Sequence, residues 1–170
     1  MSTFPTLFID MTTTAKEAGS QAVSNGWAHY EGWLLAWELD TCADKLPTKR
    51  VEFICDALGV NPPDNPDSHY ERSELARDYI RDSALSVEIK SGWQMAGQEL
   101  VQQDFRICFT TGGPSLYLQG ELDQYDQPTV DVRMYCGHWG EWAPLIVDRR
   151  GELINDSVLD WVAGCFYFGG

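Results

Sequence analysis

Basic residues and histidines are scarce in this chain of 170 residues. Twelve Lys and Arg stand against twenty-six Asp and Glu, which gives a formal net charge of −14. Nucleic acids and anionic membranes are attracted by positive surfaces, so this composition argues against direct binding to either. The three histidines, His29, His69 and His138, are scattered and form no metal-binding motif.

Paired cysteine motifs and long apolar runs are also missing. The five cysteines are odd in number and widely spaced, and no C-x-x-C occurs. This usage predicts reduced thiols, mostly buried as small apolar side chains. The N-terminus has no basic leader followed by an apolar stretch, and no apolar run is as long as a membrane span. We therefore expect a cytoplasmic protein without a membrane association, a metal or another cofactor.

What the chain does contain is acidity combined with aromatic residues. Acidic residues occur throughout a sequence that also holds seven Trp, seven Tyr and seven Phe, so the charge belongs to a folded body rather than to a tail. Such a surface serves either solubility alone or the attraction of a basic protein partner. We expect one domain over residues 1–170, with a helical part at 1–60, a proline-rich hinge at 61–66 and the remainder at 67–170.

Helical periodicity dominates the first half of the chain and returns at its end. Typical helix stops occur at Asn25-Gly26 and Gly59. Candidate N-caps are Thr48, then Asp67 or Ser68, and finally Asn155 or Asp156. The apolar alternation of Leu35, Trp37 and Leu39 leaves a strand as an alternative there. The predicted helices cover residues 15–24, 27–43, 48–58, 67–81 and 157–166.

The faces that these helices bury follow from the spacing of their apolar residues. The expected buried set is Val51, Ile54, Cys55 and Leu58 in the third helix, Tyr70, Leu75, Tyr79 and Ile80 in the fourth, and Val158, Trp161, Val162 and Cys165 in the last.

Alternation with a period of two residues marks four strands in the second half, around residues 85–89, 105–109, 116–118 and 130–134. The Gly-rich segment Thr110–Pro114 and the polar segment Asp123–Pro128 are the expected connections. Thr110–Ser115 also resembles a phosphate loop, but it lies between strands, lacks Lys and contains Pro114, which favours a hairpin. Short connections predict an antiparallel meander. The expected fold class is α+β, with N-terminal helices and a C-terminal helix packed on the sheet.

Two acidic groups and a pair of tryptophans are the candidate partner-binding residues. Residues at spacings of three and four share one helical face, which predicts an acidic row on the fourth helix. Its like charges repel one another, and we expect three arginines at neighbouring positions to offset that repulsion: Arg72, Arg77 and Arg81. The second group flanks the polar connection. Two tryptophans among glycines are not expected to lie in the core of a meander, and exposed Trp is enriched in binding hot spots. The candidates are Asp67, Glu71, Glu74 and Asp78; Glu121, Asp123 and Asp126; and Trp139 and Trp142.

A thiol and an imidazole also lie close together in Cys136-Gly137-His138. Residues two apart on a strand point the same way, so the pair suits nucleophilic catalysis if a third group orients the ring. Asp131 or Glu141 is a candidate for that role. The alternative to a binding protein is therefore a small hydrolase or transferase that uses Cys136 and His138.

Four segments of the second half are distinctive: Ser86–Trp93, Thr110–Pro114, Gly120–Asp123 and Cys165–Gly169. Together they resemble small acidic proteins carried by bacteriophages and prophages. The resemblance covers about residues 85–169 and transfers no catalytic residue. It implies an accessory protein inside a bacterial cell, and such proteins often inhibit host defence, as anti-CRISPR and DNA-mimicking anti-restriction proteins do.

The sequence thus leads to the hypothesis of a non-enzymatic acidic inhibitor of a bacterial nucleic-acid-targeting defence complex, either a CRISPR–Cas effector or a restriction enzyme. Its carboxylates would occupy a basic channel lined by Lys and Arg that ordinarily bind phosphates. The expected partner is a basic nucleic-acid-binding protein of the host, and the inhibitor itself is a monomer or a homodimer. A phage accessory protein that binds a host regulator without mimicry is a further alternative.

Overall fold

The computed structural model describes residues 20–42, 46–92, 95–96, 102–111, 114–129, 131–138 and 141–169. Four helices and five strands are formed by these residues, and the fold class is α+β as the sequence predicts. The helices are α1 (Ser20–Thr41), α2 (Thr48–Leu58), α3 (His69–Ser83) and α4 (Asp156–Ala163). The strands are β1 (Ser86–Ser91), β2 (Gln102–Thr110), β3 (Pro114–Glu121), β4 (Arg133–His138) and β5 (Glu141–Pro144).

The strands form one antiparallel sheet in the order β1-β2-β3-β4-β5. Chain neighbours are therefore sheet neighbours, which is the meander that the short connections predict. The connection between β2 and β3 is the expected hairpin, since Thr110 pairs with Leu116. A fifth strand, β5, was not predicted, because its four residues are too few to show a period of two.

The helices cover one face of the sheet, which we call the inner face. The inner residues of β3, Leu116 and Leu118, are fully buried and belong to the same apolar core as Trp33 of α1. Helix α1 packs across β3 and β4 and also contacts the other three helices, and α4 packs against α1 and β4. The opposite, outer face has no helix over it among the described residues.

Helix α1 is one continuous helix, although the sequence predicts a stop at Asn25-Gly26. The two helices predicted at residues 15–24 and 27–43 are therefore wrong as separate elements, and the strand alternative near Trp37 is wrong too. Residues 15–19 and 43 lie outside the described residues. Gly26 permits close packing instead of ending the helix, because a Cβ there would lie 2.9 Å from Leu145 Cδ2. A local stop signal is overridden by the contact with the sheet layer.

The predicted helix boundaries nearer the middle of the chain are close to those observed. Gly59 ends α2 in the left-handed conformation, at φ 70°. Ser68 caps α3, since its side chain accepts the N–H of Glu71. Thr48 is the first residue of α2 rather than its cap, and Pro47 occupies the cap position without a side-chain hydrogen bond. Tyr70, predicted to be buried, is 71% exposed.

Other differences concern the last helix and the fourth strand. Helix α4 begins after its cap Asn155, as predicted, but ends at Ala163 rather than at about residue 166. Strand β4 covers Arg133–His138, whereas residues 130–134 were predicted. Val132 precedes the strand yet is buried in the core, which explains why its alternation resembles that of a strand. Within the described residues, no helix has both the length and the apolar character needed to cross a bilayer.

Candidate binding surfaces

The acidic row on α3 is present, but its first member differs from the prediction. Asp67 precedes the Ser68 cap and is therefore not part of the helix. Glu71, Glu74 and Asp78 follow at spacings of three and four, and Asp82 extends the row by one more turn. Asp82 was missed, although the same spacing rule would have found it. Glu74, Asp78 and Asp82 are exposed, which makes them accessible to a partner.

The arginines of α3 do not offset the negative charge of this row in the way that the sequence suggested. Arg72 is fully buried, and its guanidinium donates to the carbonyl oxygens of Pro66, at 2.9 Å, and Cys42, at 3.0 Å. Arg77 reaches Asp40 of α1 at 2.9 Å. Arg81 pairs with a carboxylate of the row, that of Asp78. Two of the three positive charges are therefore directed towards the protein, while the carboxylates face outwards.

Glu71 has a structural task beside any role in binding. Its Oε2 accepts the N–H of Asn65 at 2.8 Å, which ties the proline-rich loop to the first turn of α3. Asn65 Oδ1 in turn accepts the N–H of Asp67, at 3.2 Å. Together with the bond from Arg72 to Pro66, these contacts fasten the loop at 61–66. A hinge at this loop stays a prediction.

The second acidic group lies where β3 leads into β4. Glu121 is exposed at the end of β3, whereas Asp123 organises the turn that follows. Its Oδ1 accepts the N–H groups of Tyr125, at 2.8 Å, and Gln127, at 3.0 Å. Asp126 is partly buried and adopts a positive φ of 57°. Asp123 and Asp126 therefore shape the turn, and both Glu121 and Asp123 are exposed.

An aromatic patch occupies the outer face of the sheet. Tyr117 of β3 stacks on Tyr135 of β4, with ring centroids 5.1 Å apart, and contacts Trp142 of β5 at 4.5 Å. The guanidinium of Arg106 lies 4.5 Å from the centre of the Tyr117 ring. Trp142 is 45% exposed, as expected for an anchor residue. Trp139 lies outside the described residues.

The structure places the two acidic groups on different layers of the molecule. Helix α3 packs on α1 and belongs to the helical layer, which covers the inner face. Glu121 shares the outer face with Tyr117 and Trp142, because alternate residues of a strand point the same way and Trp142 lies next to the β3–β4 pair. Glu121 and Trp142 can therefore belong to one binding surface, whereas the α3 row forms another.

Cys136 does not have the surroundings of a nucleophile. It is buried in the core on the inner side of β4, with its Cβ close to the position that a Cβ of Gly26 would take. Burial raises the pKa of the Cys136 thiol to about 11, whereas reactive thiols have lowered values. The side chains of His138 and Glu141 lie outside the described part of the chain. Asp131 is exposed, and its Oδ1 lies 3.9 Å from Arg133 Nη2.

We expect Cys136 to resist alkylation in the folded protein. With a thiol pKa of about 11, only about one molecule in a thousand carries the thiolate at pH 8, and the core also blocks access. Iodoacetamide at pH 8 followed by peptide mass spectrometry should leave Cys55, Cys136 and Cys165 unmodified, and unfolding in urea should expose all of them. Rapid labelling of native Cys136 would instead favour the hydrolase or transferase alternative.

A buried carboxylate that the sequence analysis missed joins three helices. Asp40, near the end of α1, is buried, and its Oδ2 accepts from Arg77 of α3 at 2.9 Å and from Trp161 Nε1 of α4. Ser73 donates a further hydrogen bond. The backbone carbonyl of Asp40 accepts from His69 Nε2 at 2.6 Å. Nothing in the local sequence distinguishes Asp40 from the other acids, since its partners lie far along the chain.

The pKa of Asp40 reflects this network. Burial by itself raises the pKa of the carboxyl group. Hydrogen bonds from Ser73 and Trp161, together with the charge of Arg77, outweigh that effect and hold the pKa below its ordinary value. The charged form is therefore stabilised in the folded protein, and Asp40 serves to hold the helical layer together.

Compared with protein-family models, curated proteins and solved structures, the chain matches none of them. Within the described ranges, no group of three His, Cys, Asp or Glu side chains has the arrangement of a metal site. The surfaces that remain as candidates are the α3 row and the aromatic patch with Glu121.

Proposed function

We propose that this protein is a non-enzymatic inhibitor whose acidic surface occupies a basic nucleic-acid-binding surface of a bacterial defence complex, either a CRISPR–Cas effector or a restriction enzyme. The observation that carries the proposal is the outward row of Glu74, Asp78 and Asp82 on α3, on a helix that directs Arg72 and Arg77 towards the protein. The net charge of −14 supports it, because a field of that sign attracts basic surfaces over long distances.

The mechanism is competition for cations that otherwise bind phosphates. Neighbouring carboxylates of the α3 row are separated by one helical turn, with about 5–6 Å between their Cβ atoms. Basic grooves for nucleic acids present Lys and Arg to a regular series of negative charges. One exposed carboxylate contributes little by itself. A row that meets a desolvated basic groove acts through the sum of its contacts and also speeds association.

A second candidate function is supported by the aromatic patch. Trp, Tyr and Arg are enriched in binding hot spots, and Trp142, Tyr117 and Arg106 lie in contact on the outer face. Such a patch suits a host regulator bound mainly through apolar and aromatic contacts. Glu121, on the same face, would then lie at the rim of the interface, where charges affect association rates more than affinity.

The two candidates are separated by one capture experiment. The full chain is immobilised, a bacterial lysate is passed over it, and retained proteins are eluted either by salt from about 0.05 to 0.5 M or by duplex DNA, then identified by mass spectrometry. Charge mimicry predicts retention of a nucleic-acid-binding protein that both eluents release, because DNA competes for the same cations. A retained partner that withstands both treatments contradicts mimicry and favours the host-regulator candidate.

A further inference from the structure

Strand β1 forms an edge of the sheet with no further strand beside it among the described residues. It pairs with β2 on one side and stands first in the sheet order. Alternate N–H and C=O groups of an edge strand point away from the sheet, and such edges readily accept another strand. Proteins often protect an edge with proline, a very short strand or charged side chains; β1 has six residues and no proline, and its charged residues are Glu88 and Lys90.

The same strand has apolar side chains that remain exposed on the inner face of the sheet. On the inner face, Val87 lies opposite Ile107 of β2, and Ile89 lies opposite Phe105. Ile107 and Phe105 are 0% and 1% exposed, whereas Val87 and Ile89 are 41% and 44% exposed. The core therefore ends at β2. A further strand beside β1 would remove the apolar surface of Val87 and Ile89 from water, which is favourable.

The charges of β1 complement a second copy of the same strand. Glu88 and Lys90 flank Ile89 and project from the outer face, where they oppose Arg106 and Asp104 of β2. When two antiparallel copies of β1 meet with Ile89 opposite Ile89, each Glu88 faces the Lys90 of the other copy. Opposite charges directly across an antiparallel pair are stabilising, and like charges there are destabilising.

This pattern also selects one register. A shift by two residues in one direction sets Glu88 against Glu88, and a shift in the other direction sets Lys90 against Lys90. A slip of one residue would place charged side chains opposite Ile89 and Val87 and mix the two faces of the strand. Only the register centred on Ile89 pairs both charges and keeps the apolar side chains together.

We propose that two copies of this chain associate through β1, around a twofold axis at Ile89, so that their sheets join into one sheet of ten strands. A closed twofold contact of this kind uses the same surface on both copies. A single strand pair is small compared with the roughly 1,000 Å² expected of a stable interface, so the dimer forms at high protein concentration. The α3 row lies on a helix and not on the paired strands.

Charge-exchange variants test the proposed register directly. Sedimentation of the full chain at about 0.15 M salt, which screens the repulsion between two acidic bodies, should show dimer formation that rises with concentration. Glu88→Lys and Lys90→Glu should each be monomeric, because each sets like charges across the contact twice. An equimolar mixture of the two variants should dimerise, since both ion pairs are then restored. The double exchange E88K/K90E should also dimerise.

Circular dichroism of each variant controls for folding, because Glu88→Lys also faces Arg106 and Lys90→Glu also faces Asp104 within the sheet. The proposal is overturned if the wild type stays monomeric at every concentration, or if folded Glu88→Lys and Lys90→Glu dimerise as well as the wild type. Failure of the mixture to associate would overturn the register around Ile89. None of these results bears on capture of a basic partner, so the two proposals can fail separately.

Discussion

Replacing Asp40 by Ala should destabilise the protein by about 3 kcal/mol, because it removes a buried carboxylate that accepts several hydrogen bonds, and a donor left unsatisfied costs about 1–3 kcal/mol. The substitution leaves Trp161 Nε1 and the Ser73 hydroxyl without their acceptor, and it separates Arg77 from its carboxylate. Because these partners lie on α3 and α4, the loss affects the packing of both on α1. Urea unfolding followed by tryptophan fluorescence measures the change.

Asp78→Ala is the matched control, because it also removes a carboxylate that pairs with an arginine. Both members of the Asp78–Arg81 pair are exposed, so its loss should change the free energy of unfolding by no more than about 1 kcal/mol. If both substitutions change the free energy of unfolding equally, the burial of Asp40 and its several partners do not increase its contribution to stability.

The stabilisation by Asp40 should depend on pH in a definite direction. Its folded-state pKa is lowered, so the charged form stabilises the fold above the unfolded pKa of about 3.9. That contribution disappears as the pH falls through the lower folded value. The difference in unfolding free energy between the wild type and Asp40→Asn should therefore shrink below about pH 4. A constant difference from pH 7 to pH 2 would exclude the charge as its cause.

Reversing Glu74, Asp78 and Asp82 together to Lys should weaken binding of the captured partner by about a hundredfold, equivalent to about 2.7 kcal/mol. The reason is that three attractive contacts with a basic groove become repulsive. Each single substitution by Ala should change the affinity by less than about threefold, because an isolated exposed carboxylate contributes little. Glu71 is left in place, since it holds the backbone of Asn65.

A second triple variant separates the row from the total charge. Glu52→Lys, Asp56→Lys and Glu152→Lys change the net charge by the same amount at exposed positions outside the row. Circular dichroism should show both triple variants folded, with partner binding lost only in the first. An equal loss of binding in both variants would attribute binding to the overall electrostatic field. Unchanged binding in both would exclude the α3 row and leave Glu121, Asp123 and Asp126 as the candidate acidic residues.

The strands and turns could be predicted from local sequence because their signals are local. Alternation around Phe105–Phe109 and Leu116–Leu118, together with a Gly-rich connection, leads to a hairpin in the antiparallel meander. Gly59 and Ser68 likewise act on the helix ends next to them. The acidic row on α3 follows from helical spacing alone, although Asp67 lies just before the helix and Asp82 was missed.

Contacts between distant segments decided the remaining features. The carboxylates of α3 were visible in the sequence, but only packing determined that Arg72 turns to Pro66 and Cys42 and that Arg77 turns to Asp40. Gly26 resembles a helix stop until Leu145, far along the chain, is found against it. The sequence by itself thus determined the charge, the meander and the helical row. The tertiary structure decided which charges face outwards and where the core ends, because both depend on residues far apart in the chain that come into contact only in the folded protein.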